Sequence, residues 1–338
     1  MSEAQPTNAA LIERLTATIR AALDPLIEGA PHLALLDFPN HWNVGDSAIW
    51  LGDLAYMQSA RGRLPDYTCN VATYDPDALR KHAPDGPILL HGGGNFGDLY
   101  LLHQDFRERV CADFPDRPLI QLPQTIYFED ETRLDQARAT IAAHPNFTLL
   151  ARDSYSYEIA RTFDCTAALV PDMAFCLDDL SALRHVPSRQ LVALLREDRE
   201  SNEGDVVRTA LPPKTLATDW KREDLATLQM LAAYVTPRWG ETRTSIDLAQ
   251  HRLARGLEIL SSGKYVVTDR LHGHILCLLL GVPHLVLDNS YRKNATFIET
   301  WTSGVPTARF APSLKALEEW LVEHGLKERF DPLAANED

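Results

Sequence analysis

The stretch Tyr265-Val-Val-Thr-Asp-Arg-Leu-His-Gly-His274 decides the fold. A run of β-branched apolar residues passes straight into a segment of helical character, 271–280, with Asp269, Arg270, His272 and His274 at the handover. Strand-to-helix units of this kind build a parallel, doubly wound sheet, and the junction lies at the carboxyl edge of the strands, where ligands bind. The unpaired N–H groups of the helix's first turn favour an anion, and Arg270 and His272 add fixed donors beside them. A purely structural reading is equally open: Asp269 as a helix cap, Arg270 in an ordinary ion pair, the histidines as packing.

Outward from that junction the same grammar repeats. An amphipathic helix is expected over 9–26. Short apolar strands follow at 33–37, 88–91, 118–122, 147–151 and 167–170, separated by helical stretches. Segment 180–189, with Pro187 and Ser188 near its end, has no element of its own, and a new strand, 190–195, follows. Beyond it come helices over 224–235 and 245–261, a strand over 264–268, a Gly281-Val282-Pro283 turn, a strand over 284–288 and a closing helix over 313–323. The expected fold class is α/β, with two Rossmann-like domains, 1–185 and 186–338, facing a central cleft. The polar, proline-bearing segment 197–220 is expected as a loop over that cleft.

The bulk numbers agree with this. A chain of 338 residues fits two domains, and 45% apolar with 24% charged residues is the balance of a globular protein. A formal net charge of −14 argues against nucleic acid as a partner, which would need a basic face to displace counterions. Five cysteines stand without metal-ligand or disulfide spacing, as in a reducing compartment, and no metal site is expected. The first residues carry no basic-then-apolar signal pattern, and the longest apolar run, 275–282, is far below spanning length. A cytoplasmic protein with at most peripheral membrane contact is expected.

Other junctions at the same edge carry polar groups. Strand 33–37 leads into Asn40, His41, Asn43 and Asp46, a sugar-facing set in which Asp46 serves as a base for a hydroxyl, as N-cap of a helix over 47–58, or as both. Strand 88–91 enters Gly92-Gly93-Gly94-Asn95-Phe96-Gly97, formally G-x-G-x-x-G. The next strand ends Gln121-Leu-Pro-Gln124, without the acid a dinucleotide ribose wants. With His91 the same residues spell an oxyanion loop, but the chain has no G-x-S-x-G, so serine hydrolysis is excluded. What survives is a backbone-lined loop with Asn95 as a hydrogen-bonding group. Arg152-Asp153, Pro171-Asp172 and Arg196 follow further strands. Arg196 is expected to face Arg270 across the crevice, while the residues after it, 197–199, read as a solvated charge run of alternating sign.

The ordered set Asn43-x-Gly45-Asp46, His91-Gly-Gly-Gly-Asn95, Arg152-Asp153, Pro171-Asp172 and Thr268-Asp-Arg-Leu-His-Gly-His274 resembles the polysaccharide pyruvyltransferase family, over roughly 33–289. The resemblance implies a GT-B-like fold that holds phosphoenolpyruvate in the C-terminal domain and a sugar acceptor, lipid-linked oligosaccharides included, in the N-terminal one. It places the reaction in the cytoplasm or at the inner face of the cell membrane. The family's Arg-Leu-His donor motif falls on Arg270, Leu271 and His272. A further donor arginine is expected at Arg196 or, second, Arg152, and acceptor binding at Asn43, Asp46, Gly93, Gly94 and Asn95. His272, as general acid or phosphate-orienting donor, Arg270 and Asp46, as acceptor base, are the expected catalytic residues, with no cofactor. A nucleotide-sugar glycosyltransferase and a non-catalytic glycan-binding protein are the alternative readings.

Overall fold

The computed structural model describes residues 7–197, 204–220, 242–289 and 292–328. Two parallel sheets, each flanked by helices, make up an α/β architecture. The first is built from β1 (Ala34–Leu36), β2 (Tyr67–Cys69), β3 (Ile88–Leu90), β5 (Leu119–Tyr127), β6 (Phe147–Ala151) and β7 (Thr166–Leu169), in the order β2-β1-β3-β5-β6-β7. β4 (Gly93–Gly97) lies off this path on β5. The second joins β8 (Arg189–Leu194), β9 (Leu216–Thr218), β10 (Gly263–Thr268), β11 (His284–Leu287) and β12 (Ala308–Ala311), in the order β12-β11-β10-β8-β9. Ala34-Leu-Leu36 and Ile88-Leu-Leu90 are buried at every position, because helices cover both faces of a parallel sheet.

Helices α1 (Asn8–Ile27), α2 (Val44–Arg61), α3 (Pro76–His82), α4 (Leu101–Asp113), α5 (Glu131–Ala142) and α6 (Ser154–Ala160) accompany the first sheet. The second carries α7 (Gly204–Ala210), α8 (Thr242–Ser261), α9 (Leu271–Leu280), α10 (Lys293–Phe297) and α11 (Leu314–Glu323). α9 is apolar all round beyond its first turn and buried throughout, so it sits inside the molecule rather than on it. It stops at Gly281, whose φ of 66° supplies the left-handed cap. Among the described residues no helix is long and apolar enough to cross a membrane.

Several expectations are corrected. The helix expected over 47–58 begins earlier, at Val44, and is capped by Asn43, whose Oδ1 accepts from Gly45 N at 3.2 Å; Asp46 is therefore inside the first turn and not the cap. The glycine-rich segment is a short strand, β4, because Pro123 and a register shift between Gln121 and Gln124 let β5 run on and pair with it. Segment 197–220 contains α7 and the edge strand β9 and ends on the buried Trp220; it is not a plain loop. The helix expected over 224–235 and residues 198–199 of the charge run lie outside the described residues.

One hydrophobic cluster draws on both sheets. It unites Leu15 and Ile19 of α1, Trp50 and Met57 of α2, Leu257 and Leu260 of α8, and Ile275 and Leu279 of α9. α2 and α8 meet closely at Gly256, where an added methyl would lie 2.3 Å from Val44 Cγ1. This seam brings the carboxyl ends of the two sheets to one crevice.

Candidate functional site

A cavity of about 260 Å³ lies at that crevice, between the ends of β1, β3 and β6 on one side and β8 and β10 on the other. Asn43, Asp46, Gly94, Asn95, Arg152, Arg196, Arg270, Leu271 and His272, all expected from the sequence, line it together. Gly93 is not among the lining residues. It packs against the site with φ 124°, its missing side chain 3.5 Å from Asp46 Oδ1.

The turn into α9 is fixed by short-range bonds. Thr268 Oγ1 accepts from Arg270 N at 3.1 Å and donates to Leu194 O at 2.9 Å. Asp269 does not cap the helix: its Oδ1 accepts from Arg196 N at 2.9 Å and clasps the ends of β8 and β10 together. Burial pushes the Asp269 carboxyl up to about 6, against that bond. Arg270 itself holds the N-cap position without a side-chain cap, so the first-turn N–H groups of α9 keep their capacity for an anion. Arg270 Nη2 meets Asp219 Oδ2 at 2.6 Å, and its guanidinium lies 5.6 Å from the centre of the Trp220 ring. Asp219 and Trp220 were hidden in the segment read as a loop.

Behind α9 lies a buried triad. Asp172 Oδ2 accepts from Arg152 Nη1 at 2.7 Å and faces His272 Nε2 at 3.3 Å, while its Oδ1 accepts from Ala174 N at 2.9 Å. An ionised carboxylate only accepts, so Nε2 carries the hydrogen in the His272 bond. Burial would raise the Asp172 carboxyl, but His272 and Arg152 outweigh it and hold it well below the usual range. Arg152 Nε donates to Thr125 Oγ1 at 2.8 Å, and its buried Nη2 has no hydrogen-bond partner among the described residues. A methyl at Gly94 would lie 3.1 Å from that Nη2 and 2.6 Å from Lys293 Nζ, so two cations converge over the glycine strand. Lys293, at the start of α10, follows no pattern the sequence reading used. Asp172 was visible as a polar strand end, without a role.

His272 also ties the two halves together. A methyl at Gly45 would lie 2.4 Å from His272 Nδ1, so the imidazole rests directly on the first turn of α2. Asp46, one residue on, accepts from Asn43 Nδ2 at 2.8 Å and has His41 Nε2 at 3.5 Å. Burial works to raise its carboxyl; His41, His272, His91 and Lys293 together prevail and lower it, so Asp46 stands ionised. Asn95 is committed: its Oδ1 accepts from Gln124 Nε2 at 2.8 Å and from Arg107 Nη2 at 3.2 Å. Burial lowers the Arg107 guanidinium to about 10. Asp37, with a φ of 70° that non-glycine residues rarely adopt, aims its carboxylate at His103 Nδ1, 2.9 Å away. Neither was singled out from sequence, although Asp37 ends the first strand.

The arrangement resembles known proteins over most of the chain. The family model described as polysaccharide pyruvyl transferase matches residues 43–291. Pyruvyl transferase 1 of Schizosaccharomyces pombe is 33% identical over 296 residues, 82% of this chain and 71% of that protein. The putative pyruvyl transferase EpsO of Bacillus subtilis is 30% identical over 315 residues, 86% of this chain and 93% of that protein. A crystal structure of a Klebsiella pneumoniae protein of uncharacterised function superposes with a TM-score of 0.57, covering 87% of this chain and 99% of that one. At 19% identity that likeness concerns the α/β fold alone. With the family model spanning the Asn43–Asp46 turn, the glycine strand, Arg152, Asp172 and the start of α9, the chain belongs to the polysaccharide pyruvyl transferase family and is an enzyme of that class.

Proposed function

We propose that the cavity binds phosphoenolpyruvate and a sugar acceptor and joins them as a pyruvate ketal with release of phosphate. The observation that carries this is the convergence on one cavity of the uncapped start of α9, Arg270, His272 and Lys293 from the second half with Arg152 from the facing side, next to the ionised Asp46. A donor with a phosphate and a carboxylate close to its reacting carbon needs cationic donors on more than one side. An acceptor hydroxyl needs a base within reach.

In this reading the donor's methylene carbon is protonated and the resulting electron-poor carbon is attacked by one hydroxyl. The bond to phosphate then breaks with its electron pair on the leaving oxygen, and a second hydroxyl closes the ring. His272, held by Asp172, orients the phosphate or protonates the donor; Asp46 receives a hydroxyl proton. Residues 1–185 supply the acceptor side and 186–338 most of the donor side in a GT-B-like pair of domains, with Arg152 reaching across as a donor ligand. Arg196 lines the same cavity as a further donor arginine. The reaction is placed in the cytoplasm, where the donor is made, on acceptors that include lipid-linked saccharides at the membrane's inner face.

The test is direct. Purified protein with phosphoenolpyruvate and p-nitrophenyl glycosides of galactose, glucose, mannose and N-acetylglucosamine should release phosphate in step with ketal formation, and Arg270→Ala should abolish donor binding. Consumption of a nucleotide sugar, with no binding or turnover of phosphoenolpyruvate, would overturn the reading.

A further inference from the structure

The cavity wall holds a second carboxylate–imidazole couple that the roles above leave unused. His91 follows β3 and lines the cavity with Asp46, and Asp53 stands on α2 about two turns beyond Asp46. His91 Nδ1 and Asp53 Oδ2 are 2.8 Å apart, and the side chains are 2% and 0% exposed. With the carboxylate accepting, the hydrogen of that bond sits on Nδ1, and Nε2 is presented on the opposite edge of the ring. Nε2 is buried and has no hydrogen-bond partner among the described residues. The Trp50 indole meets the ring in an edge-on packing with centroids 5.6 Å apart, which holds the ring plane. A buried pair kept only for packing would be expected to satisfy both ring nitrogens. One nitrogen oriented by a carboxylate, with the other unmatched on a cavity-lining residue, is the arrangement of an acid–base group.

Ketal formation calls for such a group. Two hydroxyls of one sugar each form an O–C bond and each give up a proton. One proton is gained by the donor's methylene carbon, which becomes a methyl, and the other leaves on the phosphate. Two oxygens must therefore be deprotonated, and Asp46 is a single carboxylate. We propose that His91, oriented by Asp53, is the base for the second acceptor hydroxyl, a role that rests on the ketal reading of the site. The C–O bond to phosphate breaks with its pair on phosphate, Nε2 takes the proton of the second hydroxyl as its O–C bond then closes, and the imidazolium passes that proton to the released phosphate. His91 is the catalytic residue of the couple and Asp53 its positioning residue.

The titratable groups around the couple are Asp46 on the same helix, Asp37 at the end of β1, His41 ahead of α2, and Asp172 and Cys176 on the Asp53 side. Burial pushes the Asp53 carboxyl up to about 6. His91, against burial, is raised by Asp53, Asp46 and Asp37. The rising limb of kcat against pH should accordingly lie above the ordinary imidazole value of about 6.5.

The experiment measures kcat across pH for the wild type, His91→Gln and Asp53→Asn, with phosphoenolpyruvate and the p-nitrophenyl glycosides, alongside calorimetric binding of phosphoenolpyruvate alone. His91→Gln should lower kcat about 100-fold or more and erase the rising limb, with donor affinity kept within about twofold. Asp53→Asn should move the limb to lower pH. A His91→Gln enzyme with kcat within about threefold of wild type and an unchanged profile would overturn the proposal and mark a packing pair. Should His91→Gln fail to fold, an unmoved limb in Asp53→Asn overturns it equally. A wild type that consumes no phosphoenolpyruvate with any glycoside overturns the ketal reading itself, before either variant is compared.

Discussion

At the scale of single residues, Gly45 and Asp172 decide whether His272 is in place. A methyl at Gly45 would meet His272 Nδ1 at 2.4 Å, so Gly45→Ala must push the imidazole off Asp172 or lift the start of α2. Overpacking of this kind costs about 1–3 kcal/mol, a fall of a few degrees in Tm, while displacement of a positioned group by about 1 Å costs about 100-fold in rate. We therefore expect Gly45→Ala to fold, to melt slightly lower, and to lose kcat/KM far out of proportion to stability; steady-state kinetics beside a thermal melt check it. Asp172→Asn acts the other way, on stability. It leaves the wholly buried Arg152 guanidinium without its counter-charge, which should cost about 3–5 kcal/mol in a urea titration. What sequence could show at this scale was residue type at a strand end, which is why Arg152, Arg270 and His272 were legible. Trp220, Lys293 and His103 reach the cavity from places that no local pattern marks, since their relation to it exists only after the chain has folded.

At the scale of elements, α9, β11 and the turn Ile298–Thr302 are joined by a chain of neutral groups. His284 Nδ1 donates to Val282 O at 2.8 Å, so its Nε2 is left to accept from His274 Nδ1 at 2.8 Å, and His274 Nε2 in turn accepts from Thr302 Oγ1 at 2.8 Å. Both rings are satisfied in their neutral forms, so a proton added to either places a charge in the buried interior with no counter-ion among its hydrogen-bond partners. Burial accordingly lowers His284 to about 4, and burial followed by His284 lowers His274 well below the ordinary value. Groups depressed on folding contribute stability that is fully present above about pH 6.5 and lost as pH falls toward 4, about 3 kcal/mol for His284 alone. Asp53 and Asp269, raised to about 6, contribute in the opposite sense over the same range. The measurement that isolates the histidines is therefore the difference in urea stability between wild type and His284→Asn at pH 7 and pH 5. The difference should shrink as pH falls, and a constant difference would remove the chain as an acid-labile element. The strand-to-helix units of this region were readable because apolar period and capping agree there. β4 was not, since Gly93-Gly-Asn-Phe-Gly97 has no strand propensity and pairs only because β5 extends past Pro123 to meet it.

At the scale of the molecule, the two sheets are separate in hydrogen bonding but share a core. Two domains joined by a small polar interface would be expected to move and unfold independently. Here Leu15, Ile19, Trp50, Met57, Leu257, Leu260, Ile275 and Leu279 belong to one buried cluster, and α8 meets α2 with Gly256 against Val44. Separating the halves would expose that cluster to water, at roughly 1.5–3 kcal/mol for each large apolar side chain uncovered. Opening is thus coupled to unfolding, and the cavity between the sheet ends is held at a fixed width. We expect urea unfolding to give one transition, with far-UV circular dichroism coinciding with tryptophan fluorescence, since Trp50 lies in the shared core and Trp320 in the cluster of the second sheet. A chain ending at residue 185 should aggregate or remain without fixed tertiary structure, because α2 would face water with the surface it now buries against α8 and α9. Two resolved transitions, or dispersed amide resonances from the 1–185 chain, would show instead that each sheet carries its own core. Gly256→Ala then gives the functional counterpart. Its methyl would lie 2.3 Å from Val44 Cγ1 and force α8 from α2, so cavity binding of phosphoenolpyruvate and the single unfolding midpoint should fall together.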